Sequence, residues 1–240
     1  MIRTLLQLFL GLLPASPTKN RLLSMTSKQW SIHPTAQVAP NFLIGIEHLD
    51  IREDAVLRLL NVFRGLYRLE VQEEGEIAQL NWISGAGGFM PTDHPDLRGT
   101  LVVRKAGMIG SRHFVDCSGG VVIGSYGGLA GYKTTIMSHS VDVMESGQKS
   151  APVIIGDRTM IAVGCIILAG VTIAEKCVVA AGTVVAKDLT EPETMYGGSP
   201  AKPIASIKGA KLLNRDYARI TTEEDHERMK AEVARTRGRR

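Results

Sequence analysis

Residues 155–190 read IGDRTM IAVGCI ILAGVT IAEKCV VAAGTV VAKDLT, and an aliphatic residue opens every block of six. These residues are Ile155, Ile161, Ile167, Ile173, Val179 and Val185. The residue that follows is small in every block except one, where it is Leu168. A period of six fits neither an α-helix nor a simple strand. Six residues can form a short strand and a turn, so three blocks predict one triangular coil with its aliphatic side chains inside.

The same spacing recurs earlier in the chain with interruptions. It is kept by Ile32, Val38 and Ile44, and again by Val103, Ile109 and Val115. Between 45 and 100 the spacing is looser, which predicts coils broken by insertions, and residues 85–99 are predicted to form an extruded loop. A parallel α/β domain would need crossover helices of ten or more residues, and no amphipathic helix of that kind fits between 100 and 190. The sequence therefore predicts an all-β fold, a parallel β-helix.

Three segments are predicted along the 240 residues: an N-terminal amphipathic helix and linker over 1–30, a β-helix over 31–208, and a basic, partly helical tail over 209–240. The apolar run after Arg3 is too short for a bilayer span of ~20 residues. Gln7 and the following prolines also argue against a secretion signal. We expect a short helix that docks on the protein, on a partner subunit or, through residues 1–24, on a membrane face.

Charge and cysteine content limit the possible partners and compartments. The net charge is +4, and the basic tail lacks the interleaved aromatic residues that stack nucleic-acid bases, so no nucleic-acid partner is expected. Three cysteines without a C-x-x-C pair predict neither a disulfide framework nor a zinc site. We expect a reduced, cytoplasmic protein, at the inner face of the membrane if the first helix binds lipid. Cys165 and Cys177 occupy small-residue positions of the repeat and are predicted to pack in the core.

The region from Arg112 to Asp157 breaks the repeat and is rich in His, Asp, Ser and Gly. Six blocks in and after it form an ordered set: FVDC at 114–117, IGSYGGLAG at 123–131, TIMSHSVD at 135–142, APVIIGDRTMIAVGCIILAGVTI at 151–173, VVAAGTVVAKD at 178–188 and GGSPAKPI at 197–204. This set resembles the sugar O-acetyltransferases of the hexapeptide-repeat superfamily, especially those that acetylate surface polysaccharides. The resemblance implies a left-handed β-helix, a homotrimer, and acetyl transfer from acetyl-CoA to a sugar hydroxyl.

The resemblance also assigns roles to four residues. His139 matches the histidine that acts as general base, a role suited to a group that titrates near neutral pH. Asp116 stands where many relatives carry an Asn, and it is predicted to bind a sugar hydroxyl or to orient the histidine of a neighbouring subunit. Asp142 is predicted to bind substrate or to fix the imidazole. His113 is a further candidate substrate contact.

Acetyl-CoA is the co-substrate that the resemblance implies, and no metal is expected. Small residues at coil corners would let its pantetheine arm approach the backbone, and lysines would meet its phosphates. The matching residues are Ala162, Val163, Ala181, Ala186, Lys187 and Lys202.

Three other functions are compatible with a β-helix. A carbonic anhydrase of this fold needs three histidines around zinc, two of them five residues apart, but residue 144 is Met. An N-acetyltransferase acting on an amino-sugar nucleotide would use nearly the same chemistry. A non-catalytic scaffold would not bind CoA. Metal analysis, the nature of the acceptor and CoA binding distinguish these alternatives from O-acetylation.

Overall fold

A computed structural model describes residues 2–86, 91–218, 227–228 and 231, and it confirms the predicted left-handed parallel β-helix. Three parallel sheets form the faces of a triangular prism. The first contains β1 (Trp30–Ile32), β4 (His48–Ile51), β7 (Arg68–Val71), β10 (Thr100–Val103), β13 (Val121–Ile123), β18 (Val153–Ile155) and β21 (Thr172–Ile173). The second contains β2 (Gln37–Val38), β5 (Val56–Leu57), β8 (Glu76–Ile77), β11 (Met108–Ile109), β14 (Gly128–Leu129), β19 (Met160–Ile161), β22 (Val178–Val179), β24 (Thr194–Gly197) and the antiparallel β25 (Lys202–Ser206). The third contains β3 (Phe42–Ile44), β6 (Val62–Arg64), β9 (Trp82–Ser84), β12 (Phe114–Asp116), β15 (Thr135–Ile136), β20 (Ile166–Ile167) and β23 (Val184–Val185).

Coil length explains why the six-residue pattern is interrupted before Ile155. In the earlier coils the strand of the first sheet buries two side chains instead of one. These pairs are Leu49 and Ile51, Leu69 and Val71, Leu101 and Val103, Val121 and Ile123, and Val153 and Ile155. Because side chains of a strand alternate between its two faces, each pair adds two residues to the coil. The region from 45 to 84 is therefore regular, and the prediction of coils broken by insertions was wrong for these residues.

A ladder of buried amides holds these longer coils in register. Asn41, Asn61 and Asn81 recur every twenty residues at the same corner. The Asn61 backbone N–H donates to Asn41 Oδ1 over 2.8 Å, and the Asn81 N–H donates to Asn61 Oδ1 over 2.9 Å. Each amide thus satisfies buried polar groups of the next coil, which would otherwise destabilise the fold.

Two excursions leave the prism at the corner between the third and first sheets. One follows β9 and corresponds to the loop predicted over 85–99, although residues 87–90 lie outside the described residues; it contains a 3-10 helix, Pro95–Leu97. The other follows β15 and forms a hairpin of β16 (His139–Asp142) and β17 (Gly147–Ser150). The Ser150 backbone N–H donates to the Pro91 carbonyl over 3.0 Å, which joins the two excursions.

Two helices close the end of the prism at its first coil. They are α1 (Ile2–Gly11) and α2 (Pro17–Met25), so part of the predicted linker is helical. Ser16 caps α2 by accepting from the Lys19 N–H. The Nζ of the buried Lys19 ammonium lies 2.7 to 3.0 Å from four carbonyl oxygens, those of Gly11, Leu13, Val38 and Ala39, which share its three N–H donors. Burial lowers the Lys19 pKa from 10.5 to about 8. These contacts fix both helices to β2 and the turn after it.

After β25 the chain runs back along the prism through a 3-10 helix, Lys211–Asn214. Leu213 and Arg215 are buried, and an Arg215 guanidinium nitrogen donates to the Tyr126 carbonyl over 2.5 Å. Residues 227, 228 and 231 are helical and exposed, while the rest of the predicted tail helix lies outside the described residues. Among the described residues, every helix is too short to cross a bilayer.

Candidate active site

His139 and Asp116 meet at the corner where the third sheet turns into the first. Asp116 ends β12, and His139 begins β16 three residues after the end of β15. Strands β12 and β15 pair with Val115 opposite Ile136, so the residues that follow them stack at the same corner. The Nδ1 atom of His139 lies 2.7 Å from Asp116 Oδ2. The two residues therefore form a His–Asp pair within one chain.

Two serines hold the Asp116 carboxylate on its other sides. Oδ1 accepts from the Ser118 N–H over 3.1 Å and from its hydroxyl over 2.5 Å. Oδ2 accepts from the Ser138 N–H over 2.8 Å, and the Ser138 hydroxyl lies 3.0 Å away. A carboxylate offers about four lone-pair positions, and His139 and the serines already fill them. The Asp116 carboxylate is therefore hydrogen-bonded within its own chain, and the histidine that it contacts is His139 of that chain. A role for Asp116 in binding a sugar hydroxyl stays a prediction.

The carboxylate stays ionised in this setting. Burial by itself would raise the Asp116 pKa, but hydrogen bonds from Ser118 and His139 outweigh it and hold the pKa below its usual value. An ionised carboxylate can only accept, so Nδ1 of His139 carries the proton in this bond. In the neutral imidazole the other nitrogen, Nε2, then has a free lone pair. No hydrogen bond joins Nε2 to any residue in the described part of the chain. His139 is half-buried, so the pair presents an oriented base to the corner.

Asp142 serves the hairpin rather than the imidazole. Its carboxylate accepts from Lys149 Nζ at 2.5 Å and from the backbone N–H groups of Met144 and Glu145. The Lys149 hydrogen bond is the main cause of its lowered pKa. Asp142 is three positions from His139 on one strand, so the two side chains point to opposite faces. The structure contradicts the prediction that Asp142 fixes the imidazole; a role for it in substrate binding stays a prediction.

His113 belongs to the ladder of buried amides, and the prediction that it contacts substrate was wrong. Its side chain is 1% exposed. Its backbone N–H donates to Asn81 Oδ1 over 2.8 Å, and its Nδ1 accepts from the Thr134 N–H over 3.1 Å. It thus takes the place that asparagine holds in the preceding coils. Burial lowers the His113 pKa from 6.5 to about 4.

Because the His113 imidazole is buried, we expect it to lower the free energy of unfolding at acidic pH. Between pH 6.5 and pH 4 the unfolded chain binds a proton at His113 that the folded chain does not, so the free energy of unfolding falls as the pH falls. At about 1.4 kcal/mol per pH unit, the loss from pH 7 to pH 4 approaches about 3 kcal/mol. In His113→Asn, whose amide can continue the ladder, this component disappears, and urea unfolding at several pH values measures it. Parallel pH dependence in both proteins would contradict the assignment.

The predicted donor-binding residues fall on two corners of the prism. Ala162 and Val163 follow β19 and Ala181 follows β22, at the corner between the second and third sheets. Ala186 and Lys187 follow β23, at the corner that carries His139 and about 10 Å above it, because parallel strands are spaced by about 4.8 Å. The third sheet separates the two groups within one chain. A single groove lined by both groups therefore requires two copies of the chain.

The corner with Ala162 and Ala181 can accept an extended ligand along its backbone. Gly164 and Gly182 lie in the left-handed region, with φ of 71° at both, and a Cβ added to either would have no atom within 4 Å. The backbone is therefore open there, which fits the amide-bearing arm of CoA. Lys202 is exposed at the start of β25, beyond a turn in which the Ala201 N–H donates to the Val184 carbonyl. Within the described ranges no three His, Cys, Asp or Glu side chains are grouped to hold a metal ion.

Ser118 and Ser138 are the functional residues that sequence reasoning missed. Besides contacting the carboxylate, the Ser138 hydroxyl accepts from the Gly119 N–H over 2.9 Å and lies 2.7 Å from the Asp116 carbonyl. Ser118 Oγ accepts from the Ala86 N–H over 2.9 Å, which links the pair to the loop after β9. Their position two residues after Asp116 and one before His139 was the available signal. All three cysteines are free and buried in the core, so none offers a reactive thiol.

In a comparison with known protein families, part of the six-residue repeat matches one family. Residues 152–187 match the family described as the hexapeptide repeat of succinyl-transferase. A curated protein of Schizosaccharomyces pombe (strain 972 / ATCC 24843), described as a presumed acetyltransferase, is 51% identical over 57 residues. That segment spans 24% of this chain and 27% of the yeast protein.

Solved structures share the fold at low sequence identity. A hexapeptide transferase family protein from Anaplasma phagocytophilum aligns with a TM-score of 0.50 at 14% identity, over 69% of this chain and 83% of its own. A hexapeptide-repeat-containing acetyltransferase from Vibrio cholerae aligns with a TM-score of 0.46 at 16% identity, over 86% of this chain and 89% of its own. The Anaplasma structure supports the left-handed β-helix.

Proposed function

We propose that this hexapeptide-repeat protein, with its left-handed β-helix, transfers an acetyl group from acetyl-CoA to a sugar hydroxyl. The observation that carries the proposal is the bond between His139 Nδ1 and the ionised Asp116. It leaves Nε2 as a general base at a corner of the prism. The resemblance to enzymes that acetylate surface polysaccharides favours a sugar hydroxyl, in a surface glycan or its lipid-linked precursor, and a cytoplasmic site of action.

The pair performs two proton transfers in the proposed reaction. His139 Nε2 removes the proton from the acceptor hydroxyl as that oxygen attacks the thioester carbonyl carbon. The imidazolium that forms is stabilised by Asp116, which accepts from Nδ1–H throughout and does not take the proton. When the carbon–sulfur bond breaks, Nε2–H returns the proton to the thiolate sulfur of CoA. The products are the O-acetyl sugar and free CoA, and His139 is neutral again.

A homotrimer would assemble the donor groove from two neighbouring copies. The third sheet carries an outward row of Phe42, Val62, Trp82, Phe114, Thr135, Ile166 and Val184, in register from coil to coil. Phe114 is 57% exposed, and its ring lies 6.0 Å from that of Trp82. An exposed apolar ridge of this length is typical of an interface. Packing it against a neighbour's corner would bring the two groups of donor-binding residues to one groove.

Sedimentation equilibrium tests this assembly. We expect a mass of three 26.0 kDa chains for the wild type. Phe114→Asp should dissociate the trimer, because a carboxylate buried at an apolar interface has a large desolvation cost. An exposed apolar residue of α2 at the end of the prism, Met25, provides the matched control Met25→Asp, which should remain trimeric. A monomeric wild type would contradict the proposal.

Acetyl-CoA turnover tests the activity itself. The release of free thiol is measured with neutral sugars, oligosaccharides and an amino-sugar nucleotide as acceptors, and the product is identified by mass spectrometry. Formation of an O-acetyl ester supports the proposal. Transfer only to the amine would reassign the protein as an N-acetyltransferase, and failure to bind CoA would favour a scaffold.

A further inference from the structure

Helix α1 directs most of its large apolar side chains away from the protein, whereas an ordinary surface helix buries its apolar side chains. Its buried residues are Gln7, Leu10 and Gly11, and the Gln7 amide donates to the Thr26 hydroxyl over 3.1 Å. Gly11 is required by the close approach to the first coil, since a Cβ there would lie 2.8 Å from the Asn41 carbonyl oxygen. The inward face thus contains an amide and a glycine, and most of the large apolar side chains point away from the protein.

The outward side of α1 and the adjacent helix α2 carry exposed apolar side chains, which together we call the basal patch. Its members are Ile2, Leu5, Leu6, Phe9 and Leu12, with Leu22 and Met25 of α2. The first four follow the spacing that places residues on one side of a helix. Ile2 is 83% exposed, Phe9 64% and Met25 73%. So many exposed apolar side chains on two adjacent short helices mark a binding surface.

The charged residues of the two helices and of the first coil are all basic. Residues 1–46 contain Arg3, Lys19, Arg21 and Lys28 and no aspartate or glutamate. Lys19 is buried, but the other three are exposed. Pairing the patch with the same patch of a second copy would bring these like charges together without a carboxylate from these segments between them. An anionic lipid surface instead offers hydrocarbon to the apolar side chains and negative headgroups to the basic ones.

We propose that the basal patch binds this protein to anionic membrane surfaces, with α1 lying in the plane of the interface. The helix is too short to span the bilayer, so the binding is peripheral and reversible. In a cyclic trimer the three patches face the same side, which multiplies the contact. The membrane would then hold the acetyltransferase beside acceptors attached to lipids.

Vesicle flotation with the full chain tests the proposal. We expect binding to vesicles of equimolar phosphatidylcholine and phosphatidylglycerol, and much weaker binding to phosphatidylcholine alone. Raising the salt from about 0.1 M to about 1 M shortens the Debye length from ~10 Å to ~3 Å and should weaken binding. The double variant Leu5→Ser/Phe9→Ser should lose at least about tenfold in affinity because it removes apolar area from the lipid contact. The triple variant Arg3→Gln/Arg21→Gln/Lys28→Gln should also lose at least about tenfold.

The matched control is Val143→Ser/Met144→Ser, which removes two exposed apolar side chains at the turn of the β16–β17 hairpin and should bind as the wild type does. Every substituted side chain is exposed, and equal melting temperatures verify that the fold is intact. Acetyl transfer to a soluble sugar should be unchanged in Leu5→Ser/Phe9→Ser, so the outcome is independent of the proposed activity. Wild-type vesicle binding by that variant would overturn the inference. Absence of vesicle binding by the wild type would also overturn the inference. If Leu5→Ser/Phe9→Ser then reduced the assembly of the protein in solution, the patch would bind another copy of the chain instead.

Discussion

Replacing His139 with alanine lowers kcat for acetyl transfer by about 10² to 10⁴-fold, the contribution expected of a positioned general base. The loss follows from the geometry, because Nε2 is the basic atom that the pair with Asp116 makes available. The KM for acetyl-CoA should change little, since the residues proposed to bind the donor lie on other coils. Thiol release under saturating acetyl-CoA, with and without acceptor, measures both quantities.

A second histidine provides the matched control for His139→Ala. His33 is half-buried on the first coil, where its Nδ1 contacts the Thr35 hydroxyl, and it is far along the chain from the hairpin. His33→Ala should retain activity within about twofold, because surface substitutions away from a site rarely change stability by more than ±0.5 kcal/mol. Near wild-type turnover by His139→Ala would remove it from the mechanism. Acetyl-CoA binding by the inactive variant would show that the loss lies in the chemical step.

The fold was predictable because the repeat reports directly which side chains point inward. From Ile155 to Val185 the counterpart residues of successive coils lie eighteen positions apart, and the pattern of six has no interruption. Before Ile155 the coils contain two further residues in the first sheet, so a search for a period of six does not detect the same architecture. The twenty-residue spacing of Asn41, Asn61 and Asn81 would have revealed it. The reason is physical, since a buried amide is stable in such a core only when it is bonded to its counterpart in the next coil.

The candidate site was less predictable because it depends on the register between coils. The resemblance singled out His139 and Asp116, but their contact arises only because β12 and β15 are neighbours across an irregular connection. The same register places His113 inside the ladder, where burial keeps it from substrate. Asp142 could not be assigned from sequence because its Lys149 partner lies across the hairpin.

Replacing Asp116 with asparagine separates two roles that the resemblance left open. The resemblance implies that Asp116 stands where an asparagine would hold the acceptor, and if Asp116 has that role, Asp116→Asn will remain active. In this structure both carboxylate oxygens accept from backbone N–H groups, of Ser118 and Ser138. An amide must place its NH2 group against one of these donors. If that group replaces Oδ2, His139 accepts at Nδ1, carries its proton on Nε2 and is no longer a base.

We therefore expect Asp116→Asn to lower kcat by about 10² to 10⁴-fold, comparable to the loss of the histidine itself. Asp157→Asn is the matched control, because Asp157 also accepts a backbone N–H, from Ser125 over 2.8 Å, at a different corner. It should retain activity within about threefold, with its effect confined to a stability loss of about 1 kcal/mol. Melting temperatures of both variants exclude unfolding as the cause.

The double variant decides whether the two residues act as one unit. If Asp116 works through His139, Asp116→Asn should have little further effect once His139 is alanine, because residues that act together show strongly non-additive losses. If Asp116 instead binds the acceptor, the two losses should multiply, and the KM for the sugar should rise in Asp116→Asn even when His139 is present. Measuring kcat and KM for all four proteins of the cycle distinguishes these outcomes. Four donors already contact the carboxylate: the Ser118 N–H and hydroxyl, the Ser138 N–H and His139 Nδ1. They favour the non-additive result.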